Sequence, residues 1–231
     1  GTGIIIALLE CLIIIYMARF CPDVLESVNK LVLMSIIVVI ELLFAKFIST
    51  YSVSGFLIPV AFASMLVSIL LKARLAIVLN IFISGIVALM TGYSIETLIV
   101  ALIGGTAGAI LVSKMHQRND MLITGLAISL VDALSIFGLG LINNTDILSV
   151  LMQSLMGILN GILSSVFAIG LLPFCETTFD IVTPTKLLEL SNPNQPLLKR
   201  LLFEAPGTYH HSILVGNLAE AASQAIGANS L

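Results

Sequence analysis

Apolar runs dominate the chain, and its polar residues gather in the gaps between them. Seven apolar segments stand out, at 3–20, 31–50, 56–71, 75–91, 95–112, 121–142 and 147–174. Each is close to the roughly 17–25 residues that a helix needs to cross a hydrocarbon layer. In lipid a single segment can satisfy its own backbone groups only as a helix. The pattern therefore predicts seven spanning helices. The breaks contain turn-forming residues, "TYSVSG", "TGYS" and "INNTD". The break at 72–74 is so short that its flanking segments form a tight helical hairpin. Composition agrees: 58% of residues are hydrophobic, 10% are charged and the mean hydropathy is +1.14. A soluble domain carries about 25% charged residues. The expected fold class is an all-α, polytopic membrane bundle.

Charge orients this bundle. With the first end outside, the first, third and fifth connections hold Arg19, Lys30, Lys72, Arg74, Lys114 and Arg118. The tail adds Lys186, Lys199 and Arg200. Nine of the ten basic residues then share one side, and only Lys46 does not. The tendency of basic loops to stay in the cytoplasm places the tail inside. An odd number of crossings is needed, which favours seven. The opening "GTGIIIALLEC" has no basic region before its apolar run, so it reads as a membrane helix and not a signal peptide. With no initiator Met, residues are expected to precede it. Cys11, Cys21 and Cys175 lie far apart and follow no metal-ligand spacing. No basic run or aromatic platform points to nucleic acid.

After Phe174 the composition changes. The stretch "CETTFDIVTPTKLLELSNPNQPLLKRLLFEAP" has four prolines and two short amphipathic runs, "TKLLEL" and "QPLLKRLL". It predicts a linker of short helices, 176–206, between a membrane domain at 1–175 and a terminal segment at 207–231. Pro196 suits the first turn of a helix. Leu187, Leu188, Leu190, Leu197, Leu198, Leu201 and Leu202 form stripes too short to stand alone as helices, so they are expected to pack on something else.

The stretch "EAPGTYHHS" leads from the linker into the terminal segment, and a helical pattern follows. With His211 at the origin of a helical wheel, Leu214, Val215, Leu218, Ala222, Ala225 and Ile226 fall within about 60° of it. His211 thus centres the apolar stripe and His210 lies at its edge. Two alternatives stay open on the residues alone. One is a core histidine satisfied by a hydrogen bond. The other is a metal ligand, the commonest use of a neutral imidazole. The only other histidine is His116, several helices earlier.

Charges within the spans form a second set of candidates: Glu10, Glu41, Lys46 and Asp132. Such residues are expensive in lipid and mark functional positions by default. Lys46 is near the end of its helix and can extend its ammonium to the interface. Glu41 and Lys46 are five apart and do not stack on one helix face. Asp132 with Lys46 is one candidate pair between helices. Gly104 with Gly108, and Gly157 with Gly161, have the spacing that lets helices approach closely. They are expected to pack within the bundle, with contact between two copies as the other reading. Asn160 can add an interhelical hydrogen bond, and Pro59 falls where a helix tolerates proline.

The stretch "PFCETTFDIVTPTKLLELSNPNQPLLKRLLFEAPGTYHHS" resembles the junction in bacterial seven-helix membrane proteins with a cytoplasmic HD hydrolase domain, the PgpH-like family. "LLELSNPNQPLL" and "EAPGTYHHS" are its most specific parts. The span count and orientation agree, so the resemblance covers essentially the whole chain. It implies an external sensory part before the spans and an HD domain after them. That domain would bind two metal ions, iron or manganese, and hydrolyse cyclic di-AMP. The first metal ligand of the family, the His of a His-Ser pair, maps onto His211 and Ser212. The His-Asp dyad and the other ligands would lie beyond Leu231, so this segment alone is expected to bind no metal and to be inactive.

Two further functions stand beside a regulated phosphodiesterase. A transporter or channel would be built around Glu10, Glu41 and Asp132. A passive anchor would only hold the hydrolase at the membrane.

Overall fold

The computed structural model describes residues 2–51, 54–115 and 120–228. His116 and Arg118 lie outside the described residues, as does the extreme tail from 229 onward. The chain divides into two compact units, Gly1–Ile181 and Val182–Leu231.

The first unit is helical. Its helices are α1 (Thr2–Phe20), a short α2 (Pro22–Leu25), α3 (Val28–Thr50), α4 (Val60–Leu70), α5 (Ala73–Met90), α6 (Ile95–Val112), α7 (Asp120–Ile142) and α8 (Ile147–Thr178). Six of them, α1, α3, α5, α6, α7 and α8, are long and apolar enough to cross a membrane. The third apolar segment differs from the expected full-length helix. Its first residues, Gly55–Leu57, form a separate 3-10 turn, and only then does α4 begin. Pro59 is the physical reason. Proline pushes the residue before it toward extended backbone, and Ile58 is extended, at φ −69° and ψ 117°.

The resulting α4 has 11 residues, and ten of them are buried. A helix that is apolar all round belongs at the centre of a bundle. Accordingly α4 packs against α3, α5, α6 and α8. Phe44 of α3, Phe62 of α4 and Phe167 of α8 meet there. Phe44 stacks on Phe167 at 4.9 Å between ring centroids, and Phe62 meets both edge-on.

The connections sort onto two faces. Asp23, on the first connection, accepts from Lys72 of the third at 2.5 Å and lies 3.7 Å from Lys30. On another face, Glu96 at the start of α6 accepts from Asn143 after α7 at 2.5 Å. A Cβ on Gly55 would touch Thr91 and Thr97. The first and third connections therefore meet on one side. Asn144, in the left-handed region at φ 52°, closes α7 in the "INNTD" turn.

The last span runs further than the apolar segment indicates. Helix α8 has 32 residues and carries Pro173 inside it. At 1.5 Å per residue it is about 48 Å long, well beyond a hydrocarbon layer of about 30 Å. The polar residues Glu176 to Thr178 thus continue the helix that the sequence pattern ends at Phe174.

The second unit holds α9 (Pro184–Leu190), α10 (Pro196–Glu204) and α11 (Pro206–Ala225). Each opens with proline in its first turn, where the missing N–H has no intrahelical partner to lose. Thr183 caps α9 by accepting from the Lys186 amide at 3.2 Å. Helices α10 and α11 pack on each other.

Candidate functional site

Two places carry the candidate chemistry: the polar interior of the bundle and the terminal helix. The interior is built on close helix contacts. On α7 and α8 the glycines alternate between partners. Gly125 lies against Ser165, Gly161 against Ser129, Gly140 against Val150 and Gly157 against the Ala133 backbone, in step along two antiparallel helices. A Cβ at Gly157 would lie 3.1 Å from the Ala133 nitrogen. The Gly157 and Gly161 spacing is therefore packing inside the bundle. On α6, Gly104 faces Asp132, Gly105 faces Asn80 and Gly108 faces Ile128 and Met65.

Polar side chains fill the gaps these glycines leave. Asn160 of α8 donates to the carbonyls of Phe56 at 2.7 Å and Ile58 at 2.8 Å. These are carbonyls of the segment where the third helix is broken. Its own Oδ1 accepts from Ser164 at 3.2 Å. The Asn160 hydrogen bond expected from the sequence is thus present, and its partner is the break itself.

Asn80, which the sequence reading passes over, is a second hub. Its amide donates to the Leu102 carbonyl at 3.1 Å and to Thr106 at 3.2 Å. Its Oδ1 accepts from Ser64 and Ser84. It joins α4, α5 and α6. The available signal was a lone amide in the middle of the apolar run "AIVLNIFIS". Ser68 donates to the Ala109 carbonyl at 2.7 Å, and Ser129 to that of Ile158 at 2.8 Å.

The four charged candidates separate into two pairs. Glu41 and Asp132 are buried, whereas Glu10 and Lys46 are exposed on the surface of their helices. The proposed pairing of Asp132 with Lys46 is not formed, because one side chain points into the bundle and the other away from it. Among the described residues neither oxygen of Glu41 has a hydrogen-bond partner, nor does Oδ1 of Asp132. Asp132 lies flat against Gly104, where any Cβ would collide with its carboxyl group. Among the described residues none of these four enters an ion pair.

On the terminal helix, His211 and the stripe formed by Leu214, Val215 and Leu218 are exposed within their unit, and the Tyr209 ring lies 5.8 Å from that of His210. The helix register does place His211 and these apolar residues along one side. Among the described residues of the unit nothing covers that side. Leu187, Leu188, Leu198, Leu201 and Leu202 are half-buried, whereas Leu190 and Leu197 are exposed. No group of three or more His, Cys, Asp or Glu among the described residues could hold a metal ion. A single imidazole does not fit a metal site by itself.

Comparison with known proteins connects the two places. The family described as "7TM receptor with intracellular HD hydrolase" matches residues 1–183. The cyclic-di-AMP phosphodiesterase PgpH of Bacillus subtilis is 36% identical over 244 residues, covering 100% of this chain and 34% of that protein. Its namesake from Listeria monocytogenes is 33% identical over 241 residues, again 100% of this chain and 33% of the relative. An uncharacterised Synechocystis protein is 34% identical over 150 residues, 61% of this chain and 18% of that one. The chain thus spans about a third of the length of the curated relatives that it matches over its whole length. No solved structure matches. Spans, junction and terminal helix fall under one similarity, and the chain belongs to the family of seven-transmembrane receptors with an intracellular HD hydrolase.

Proposed function

We propose that this chain is the membrane module, and the cytoplasmic entry to the hydrolase, of a cyclic di-AMP phosphodiesterase. The observation that carries the reading is the similarity to two such phosphodiesterases over the full chain, through the spans and across the histidine helix. The six long helices and the short central α4 make seven crossings. The first end is outside, and the unit Val182–Leu231 is in the cytoplasm. The shared face of Lys30 and Lys72 supports this arrangement.

The module relays an external signal. Helix α8 outruns the hydrocarbon layer and so extends into the cytoplasm, toward the hydrolase. A continuous helix is a physical route for movement, and coupling along it has to be measured. The broken third segment is a feature shared with transporters, whose sites use interrupted helices. Here the carbonyls at the break are taken by Asn160. That makes the break a joint within the bundle, and it supports a receptor over a transport path.

In the longer protein His211 is one ligand of the divalent metal pair, iron or manganese, and His210 is not a ligand. The metal supplies hydrolytic chemistry at the phosphodiester. This chain's own contribution is to present His211 on a helix whose apolar side is free to receive the rest of the HD domain. Metal content and cyclic di-AMP turnover of the complete protein test this. His211→Ala should lose metal and nearly all turnover, and His210→Ala should keep its metal. Full metal occupancy in His211→Ala would refute the assignment.

A further inference from the structure

Glu10 and Lys46 have opposite charges, lie in membrane-spanning helices and face outward. Neither side-chain charge has an ionic partner among the described residues. Their depths match. Leu9, next to Glu10, packs on α5, since a Cβ on Gly85 would lie 3.4 Å from its Cδ1. Gly85 is five residues short of Met90, so Glu10 sits roughly 8 Å inside the end of α5. Lys46 is four residues short of Thr50, about 6 Å inside the end of α3. Both α1 and α3 pack on α5.

A charge facing hydrocarbon is unfavourable. Lysine has a long stem and can raise its ammonium to the interface. Glutamate, with two methylenes, has no such reach. An apolar stripe leads along α3 to Lys46: Val32, Ile36, Val39 and Leu43 are all exposed, at alternating spacings of four and three. That is the spacing of a helix–helix seam, in which one polar position fixes the register.

We propose that this surface binds a second copy of the chain. Helix α1 of each copy lies along α3 of the other, so Glu10 of one copy meets Lys46 of its partner twice about a two-fold axis. Such an interface is self-complementary. It also gives the one acid and the one base on the outside of the bundle a partner.

The test uses the complete protein in its membrane, with Cys11, Cys21 and Cys175 replaced by Ala. A Glu10→Cys copy and a Lys46→Cys copy, carrying different tags, are expressed together and oxidised. A mixed-tag disulfide dimer is expected. In dimers captured by differential tags without cross-linking, Glu10→Lys should reduce the captured fraction at least tenfold. Combining it with Lys46→Glu should restore capture. If both thiols react with a membrane-permeant maleimide yet no mixed dimer forms, lipid covers the surface and the proposal fails. Failure of the charge swap to restore capture would overturn it equally. Association is read without turnover, so the outcome is independent of the phosphodiesterase assignment.

Discussion

The side chain of Asn160 donates at 2.8 Å to the main-chain carbonyl of Ile58, a residue 102 positions earlier in the chain. With its second bond to Phe56, this amide closes the gap between the 3-10 turn and α4. A carbonyl left without a donor in an apolar interior costs about 1–3 kcal/mol. Asn160→Leu should therefore lower the stability of the bundle by roughly 1–3 kcal/mol, since the Phe56 carbonyl loses its donor while that of Ile58 keeps the Val60 amide at 2.8 Å. Thermal unfolding in detergent measures the loss. A shift no larger than that of a surface control would show that the joint does not need the amide.

The glycine contacts give a sharper comparison. Gly161 lies against the Ser129 backbone, whereas a Cβ on Gly138 would meet nothing within 4 Å. Gly161→Ala should destabilise by about 1–3 kcal/mol through overpacking of α7 on α8. Gly138→Ala should be neutral or slightly stabilising, because alanine favours a helix. Equal effects at the two positions would contradict the packing described.

Asp23 and Lys72 link the first and third connections outside the hydrocarbon layer. The hydrogen bond from Lys72 holds the Asp23 carboxyl below its usual range, and that bond in turn raises Lys72. The stabilisation is thus present at neutral pH. It fades as pH falls through the depressed Asp23 value, and fades again at alkaline pH as pH rises through that of Lys72. Both side chains are nearly half exposed, so solvent screening limits the pair to about 1 kcal/mol or less. A double-mutant cycle with Asp23→Asn and Lys72→Met should give a small coupling at pH 7 that disappears in acid. Coupling that grows in acid would reverse the sign argued here.

Orientation has its own test. A cysteine placed at Asn143 should react with an impermeant maleimide added outside intact cells, and one placed at Lys114 should not. The opposite pattern would put the second unit outside and remove the cytoplasmic hydrolase.

The bundle was largely legible in the sequence because lipid imposes one rule on every span. Long apolar runs must be helices, and the basic residues between them mark a side. The break at Pro59 was harder to read. Proline near a helix start is ordinarily tolerated, and only the distant Asn160 shows that the backbone opens there. Asn80 went unnoticed for a related reason, since its four partners come from three helices. Glu41 and Asp132 were visible as charges, but their burial against the exposure of Glu10 and Lys46 depends on helix rotation, which a uniformly apolar segment does not encode. The proposed role of His211 rests on the "HHS" pattern and on its stripe. Among the described residues no side chain covers that stripe.

Hydrolysis of cyclic di-AMP by the complete protein, reconstituted in lipid vesicles, tests the central claim most directly. Wild type should be compared with Asn160→Leu at a temperature where both remain folded. A membrane receptor coupled to a phosphodiesterase predicts turnover by wild type. It also predicts a rate changed several-fold by Asn160→Leu, with the metal content of the hydrolase unaltered. No turnover by wild type would contradict the enzyme assignment, and identical rates in the two proteins would reduce the spans to an anchor.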